Sequence, residues 1–501
     1  MAADRPKTQI GRQLYEILPE IYRTRDSHES GGQGDLAQFL DACGTLLDRL
    51  RATLDQRLAD AFPDNPPQGP GCQPWLIPYF AQLLDVRLVS PDERGRRDEV
   101  ANAVAWRQRK GTLTAIEQIA EAVGQMEAEI QEGWRRTAVT ARIGMPRLPA
   151  GALGEAAAFD DAGAHPLWAA RHPALTTATV NFRHPARAVQ IAEDFPTNPT
   201  AKLTRFAGQP FWWRQANPQG APCFPGSFDD VSRRTVDLRT PNWRQGHIHP
   251  KRVILYAPPP LGFFEPGRFP VHSGDLFFDD DTEHLLEDRI IFGTLRVTAG
   301  TLTLRRCAVQ TLEVSSTASS ISEPLVDARD CLFESVTVAG LARFEYCTLL
   351  DHCQCKRLQA SDCLFAGELI LSSELVESPH CLRFCRIPPG IASSASLLTY
   401  RNTSNPPIFH AFEFDEGAGV VRRSARFGEP GCAVLHPATP DSVGFGAEDG
   451  GELGAYHSWR YSLLMAAVPD KLKEFLPVGM EAVIVPDLRL HRVPHPECES
   501  S

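Results

Sequence analysis

The sequence predicts a multidomain α+β protein, in which an N-terminal helical region is followed by β-rich domains that include a parallel β-solenoid-like segment. Three observations carry this prediction. Leucines at helical spacing fill residues 35–62, and short apolar runs punctuated by cysteines fill residues 289–387. In addition, 41 prolines and 37 glycines break up a chain of 501 residues. A single hydrophobic core stops growing well below this length, so several domains are expected. Changes in composition place them at 1–150 (helical), 151–284 (mixed and β-rich), 285–390 (solenoid-like) and 391–501 (α/β).

In chain order, Leu14 to Tyr22 reads as a short helix interrupted at Pro19, and a polar, glycine-rich loop follows from Ser27 to Gly34. Asp35 is the expected cap of a long helix running to about Phe62. Its apolar positions Leu36, Phe39, Leu40, Cys43, Leu46, Leu47, Leu50, Leu54 and Leu58 recur at three and four residues, a seam suited to a bundle or a short coiled coil. A proline-rich break from Phe62 to Pro74 leads into a helix from Trp75 to about Leu84. Asp98 to Gly124 then reads as two helices hinged at Lys110-Gly111-Thr112. Gly111 can take the left-handed conformation that ends the first helix. Thr112 or Thr114 can cap the second, and Thr114 with Glu117 fits a capping box. Leu113, Ile116, Ile119, Ala120 and Val123 line one face of that second helix. Met126 to Ala141 is expected to be strand.

From Gly151 to Pro270 the chain has many prolines and short alternating runs, such as Ala178, Val180 and Phe182, and His249 to Tyr256 ends in a buried-strand pattern. Between Arg289 and Arg386, apolar runs are separated by turns: Leu295 to Val297, Leu302 to Leu304, Leu312 to Val314, Val336 to Val338 and Leu369 to Leu371. Cys307, Cys331, Cys347, Cys363 and Cys385 recur at spacings of 24, 16, 16 and 22 residues. This is the pattern of irregular coils of a parallel β-solenoid with small residues stacked inside. Further on, Gly446 to Gly454 is a loop, Tyr456 to Phe475 a helix interrupted near Pro469, Glu481 to Val485 a strand and His491 to Ser501 a loose tail.

Composition excludes some function classes. A net charge of −11, with 23% charged residues, gives no support to sequence-independent nucleic-acid binding. No apolar run reaches the length of a membrane span, and MAADRPKTQIGRQ lacks the apolar core of a secretory signal, so synthesis and residence in the cytoplasm are expected. Thirteen cysteines are an odd number in a long chain, which favours reduced, buried thiols over disulfides.

Each candidate for chemistry has a simpler reading. His247-x-His249 has no third metal ligand at a recognised spacing, and Asp279-Asp280-Asp281 lacks the glycine and terminal glutamate of a calcium loop. Cys353-x-Cys355 is the only cysteine cluster dense enough for zinc, and it is read as core stacking. Phe211-Trp212-Trp213-Arg214 is read as core rather than as a binding surface. The solenoid acids Glu313, Asp327, Asp330, Glu334, Glu345, Asp351, Asp362 and Glu368 do not recur at one coil position, as a polysaccharide-cleaving groove would require. No nucleophile elbow, phosphate loop or zinc-protease motif is present. The expectation is therefore a non-enzymatic protein with no catalytic residues, no metal and no cofactor.

Leu18-Pro19-Glu20-Ile21-Tyr22, the long leucine helix, the Trp75 to Leu84 segment and the Arg/Lys-Gly-Thr hinge, in this order, resemble the tail protein I family of contractile-tailed phages and phage-tail-like injection systems. The resemblance covers about Leu14 to Ala141 and leaves everything beyond residue 150 outside. It implies a structural baseplate wedge subunit that joins other wedge subunits in a six-fold hetero-oligomeric assembly around a central hub and spike, with possible contacts to sheath or fibre proteins. It also implies incorporation into a virion or phage-tail-like particle, with no nucleic-acid partner and no membrane insertion. The partner-binding residues implied are Leu36, Phe39, Leu40, Leu47, Leu50, Leu54 and Leu58 on the long helix, with Arg107, Arg109, Lys110, Gly111 and Thr112 at the hinge. The alternative function is a β-solenoid tail protein that binds or cleaves glycans.

Overall fold

The computed structural model describes residues 6–26, 34–63, 71–137, 191–195, 198–205, 234–238, 248–265, 268–316, 323–372, 379–391, 397–415 and 420–486. The Ala178–Phe182 alternation, Phe211 to Arg214, His247 and the tail after Val485-Pro486 lie outside them. The chain forms two compact units, Met1–Leu88 with Glu93–Gln108, and Val89–Asp92 with Arg109–Ser501.

The first unit is helical. Gln9–Ile17 and Glu20–Asp26 are separated at Leu18-Pro19, where proline cannot continue the hydrogen-bond ladder. The long helix spans Asp35–Ala59. Its cap differs from the expectation, because Asp35 is already helical and Gly34 is the capping residue. The Asp26 carboxylate reaches across to accept the backbone N–H of Leu36 (2.9 Å) and Ala37 (3.0 Å). A carboxylate at this end also suits the helix dipole. Pro74–Leu76 and Ile77–Leu83 follow, then Glu93–Ala101 and Ala103–Gln108. Cys72, Ile77, Ala81 and Val100 form a small core beside buried Arg97, whose guanidinium pairs with Glu93 at 2.6 Å and donates to the Cys72 sulfur and carbonyl.

The second unit opens with the helix Leu113–Gly124, which packs on Tyr461–Leu472 near the other end of the chain. A three-stranded sheet lies alongside. Its central strand, Arg252–Ala257, is buried at every position, pairs antiparallel with Glu129–Glu132 and parallel with Glu481–Pro486. Burial on both faces explains the unbroken apolar run, as in a parallel sheet. Among the described residues of the expected Met126–Ala141 strand, Glu129–Glu132 forms a strand, a single 3₁₀ turn, Gly133–Arg136, follows, and Thr137 makes an isolated parallel bridge to Arg234. Tyr461–Leu472 also departs from the prediction, since it runs through Pro469 without a break. A four-stranded antiparallel sheet contains Ile191–Phe195, Asn198–Arg205, Ala411–Asp415 and Val420–Ser424.

Most of the remainder is a parallel β-solenoid of about six turns. One face carries Ile290–Val297, Ala308–Val314 and the first halves of Leu332–Glu345 and Thr348–Ser361. The other carries Glu283–Glu287, Thr301–Arg305, Val326–Arg329, the second halves of the same two long strands, His380–Arg383 and Leu397–Tyr400. The parallel ladder begins at Val271 and its last bridge is at Thr403, so it extends beyond residues 285–390 at both ends.

The cysteines sit at one corner of five consecutive coils. Asp288, Arg306, Asp330, Tyr346, Asp362, Phe384 and Arg401 all have φ between 49° and 56°. A left-handed residue here turns the chain from one face to the other. In five consecutive coils the next residue is cysteine, and Cys307, Cys331, Cys347, Cys363 and Cys385 are each fully buried. Each thiol donates to the carbonyl two residues earlier, at 3.1–3.3 Å. Asn402 ends the row, its side chain accepting from the Cys385 N–H (2.8 Å) and donating to the Leu382 carbonyl (3.0 Å). Cysteine suits the position because it is small, apolar and carries a weak donor that a tight corner can use.

Candidate assembly surface

The long helix has two chemically different sides. At about 100° per residue, Ala37, Asp41, Gly44 and Asp48 fall together, and Gln9–Ile17 packs there. Gly11 and Gly44 meet at this crossing. A Cβ on Gly44 would lie 2.6 Å from the Gly11 nitrogen, and one on Gly11 would lie 2.8 Å from the Leu40 carbonyl oxygen. The Asp41 carboxylate accepts the backbone N–H of Lys7 (3.0 Å) and Thr8 (2.8 Å), and Asp48 accepts those of Gln9 (3.0 Å) and Ile10 (3.1 Å). Two acids on one helix therefore satisfy the orphan donors at the start of another.

The leucines lie on a stripe centred roughly 130° away. Phe39, Leu46, Leu50, Leu54 and Leu58 are 59–68% exposed and Leu47 is 39% exposed, whereas Leu36 and Leu40 are partly covered. Only Ala37 and Gly44 of this 25-residue helix are buried. Covering each of the five most exposed side chains would contribute roughly 1–2 kcal/mol. Ile17, Ile21, Tyr22, Trp75, Tyr79 and Leu83 of the same unit are also more than half exposed. Apolar spacing reports that a face is to be buried but not by which chain, so the sequence alone left the cover of the leucine stripe open between this chain and a partner.

The hinge residues divide in role. Gly111 has φ +82° with open space around it, so its conformation, not crowding, calls for glycine. Thr112 is the cap, accepting from the Ala115 N–H at 3.3 Å, so the Thr114–Glu117 alternative is not used. Ala115, Ile116, Ile119, Ala120 and Val123 are buried, while Leu113 remains 37% exposed. Arg107 works inside its own unit: its guanidinium donates to the carbonyls of Leu84 (2.6 Å) and Asp85 at the end of Ile77–Leu83. Arg109 and Lys110 are exposed.

The remaining candidates are placed as follows. Cys353 and Cys355 are buried with their sulfurs 3.8 Å apart, and no group of three or more metal-ligating side chains occurs among the described residues. Burial raises the thiol pKa of Cys331, Cys347 and Cys363 well above the usual value, which keeps them protonated. Asp279 to Asp281 are exposed, and His249 accepts the Lys251 N–H at 3.1 Å. Two solenoid acids do recur at one coil position, contrary to expectation: Asp330 and Asp362 share the left-handed corner with Asp288. They are not free for catalysis as a pair. Asp362 is buried, and its carboxylate accepts from Ser361 (2.5 Å) and from the Glu448 N–H (2.7 Å). Burial raises the pKa of Asp330, which borders a cavity of about 300 Å³ with Arg306, Arg268 and Trp459. A larger groove on the first face, about 780 Å³, is lined by Thr337, Gln354, Lys356 and a single acid, Glu313. Among the described residues, neither place sets two free carboxylates across a sugar-sized gap.

The family model for phage tail protein (Tail_P2_I) matches residues 41–223. Over this segment the chain is similar to the phage tail protein I family. The match contains most of the long helix, the Trp75–Leu84 segment and the hinge, and it continues past residue 150, where the motifs gave no sign of it. No curated protein and no solved structure matches the chain. The match supports a structural role in a phage tail, alongside other tail proteins in the virion. No helix among the described residues is long and apolar enough to cross a membrane.

Proposed function

We propose that this tail protein is a non-enzymatic baseplate wedge subunit of a contractile phage tail or a phage-tail-like injection system. It is made in the cytoplasm and built into a six-fold assembly around a hub and spike. The observation that carries the reading is the apolar stripe Phe39–Leu46–Leu50–Leu54–Leu58, left open on a helix whose opposite side is already satisfied by Gln9–Ile17. A solvated helix of a finished fold would not carry such a stripe. A bundle shared with other wedge subunits covers it by knobs-into-holes packing. The solenoid unit, with its own core, then serves as a platform for neighbouring wedges, sheath or fibres.

The test is co-expression with the proteins encoded beside it, followed by affinity capture. Wild type is expected to bring down wedge partners, and Leu50→Asp with Leu54→Asp to lose them while keeping the native melting transition. Capture by the double variant at the wild-type level would refute the reading.

A further inference from the structure

The two ends of the solenoid differ from its middle and from each other. At the last coil, the first face is blunted by Pro388-Pro389, which cannot donate to a further strand. The second face is not blunted. Its last strand, Leu397–Tyr400, pairs only with His380–Arg383 among the described residues. Leu398 and Tyr400 are each 56% exposed. Thr399 is exposed too, although it continues the inward row of Leu304, Ala328, Phe344, Ala360 and Leu382. This end of the lumen is therefore accessible.

At the first coil, Glu283–Glu287 is likewise an outer strand, paired only with Thr301–Arg305 among the described residues, and it exposes Leu285 (58%). The ends are opposite in charge. Asp275, Asp279, Asp280, Asp281, Glu283, Glu287 and Asp288 crowd the first coil, whereas residues 379–410 contain no acid and carry Arg383, Arg386 and Arg401. Register links the two edges as well. Leu285 and Leu398 lie in one outward row, Glu287 and Tyr400 in the next, and Asp288 and Arg401 are the first and last corner residues. Within the chain, the corner step from Asp288 to Arg306 is already a paired-oxygen salt bridge at 2.6 and 2.8 Å.

We propose that a second copy of this chain adds its first coil to the last coil of its neighbour. Glu283–Glu287 pairs parallel with Leu397–Tyr400, Leu285 lies beside Leu398, and Arg401 faces the acidic corner at Glu287 and Asp288. The contact is head-to-tail, so it closes a ring or continues as a row according to the rotation between copies. One strand pair is a small interface, and it becomes effective where copies are already held side by side. The proposal does not depend on the leucine stripe, so it is tested in the full-length chain with Leu50→Asp and Leu54→Asp, where stripe-mediated association is removed.

In that background, chains carrying Glu287→Cys are mixed at high concentration with chains carrying Tyr400→Cys and oxidised. A disulfide between the two chains is expected, with much less when Glu283→Cys replaces Glu287→Cys. Arg401→Glu with Leu398→Lys should cut the cross-link about tenfold, and Asp288→Lys on the other chain should restore part of it. No cross-link, or one insensitive to register and charge, overturns the proposal. Unchanged far-ultraviolet circular dichroism of the variants excludes unfolding as the cause.

Discussion

Replacing Gly44 with alanine sets two effects of opposite sign against each other. Alanine in a helix interior is favoured over glycine by about 1 kcal/mol, so the isolated helix should gain. At this crossing, however, the new Cβ would sit 2.6 Å from the Gly11 nitrogen and 2.8 Å from its Cα, and both are backbone atoms that cannot rotate away. Forcing such overlap costs about 1–3 kcal/mol. Relief by moving Gln9–Ile17 outward would stretch the four N–H bonds to Asp41 and Asp48, each worth about 1 kcal/mol or more. The expected net effect is a loss of about 2 kcal/mol from the helical unit. Urea unfolding followed at 222 nm reads it, with Gly111→Ala as a control whose cost is conformational alone. A raised midpoint for Gly44→Ala would mean that propensity outweighs packing and that the glycine crossing does not hold these helices together.

Glu452 is buried, and its carboxylate accepts from the Ser462 hydroxyl (2.5 Å) and N–H (3.2 Å) at the start of Tyr461–Leu472. Burial pushes its pKa up to about 7, above the ordinary value of 4.5, so the folded chain holds this proton more tightly than the unfolded chain. Stability should therefore fall as pH rises from about 4.5 to 7, by on the order of 3 kcal/mol from this group. Glu452→Gln should flatten that limb of the melting-temperature profile, and an unchanged profile would reject the assignment. For the thiols, peptide mapping after alkylation of the native chain should find Cys43 and Cys381 labelled and the corner cysteines labelled only after denaturation. Native labelling of Cys347 would contradict the buried row.

What was legible in the sequence is what short-range physics determines. The 3–4 spacing gave the long helix, Gly111 the left-handed turn, and the recurring cysteines the coils. The coil-to-coil pairing followed because each apolar run needs a partner one coil away. The Asp26 cap was not legible, because the carboxylate comes from another helix and no local pattern names it. Pro469 misled for a similar reason: burial of Val468 and Leu472 against the Leu113–Gly124 region outweighs one lost hydrogen bond. The leucine stripe was visible as apolar spacing, yet its exposure could not be, since a leucine seam looks the same whether its own chain or another covers it. The recurring corner acids were overlooked because Arg306 and Tyr346 interrupt the series of aspartates.

The two units also differ in what they leave unfinished, and this bears on how the protein assembles. The solenoid buries its apolar rows completely, from Leu295 and Leu312 through Val336 and Cys353, and the loop that follows is clamped to its corners. There the Gly454 N–H donates to the Asp362 carbonyl, the Ala455 N–H donates to Thr348 (2.9 Å), and His457 stacks on Tyr346 at 4.0 Å. A fold satisfied to this degree gains little from a partner except at its open edges. The helical unit instead buries two residues of a 25-residue helix and leaves its largest side chains in water. Partner binding should therefore raise the stability of the helical unit strongly and that of the solenoid hardly at all, because ligation stabilises only the state that makes the contact. Hydrogen exchange should register this as protection gained across Asp35–Ala59 with Thr348–Ser361 unchanged, a pattern that a glycan ligand in the solenoid groove would reverse.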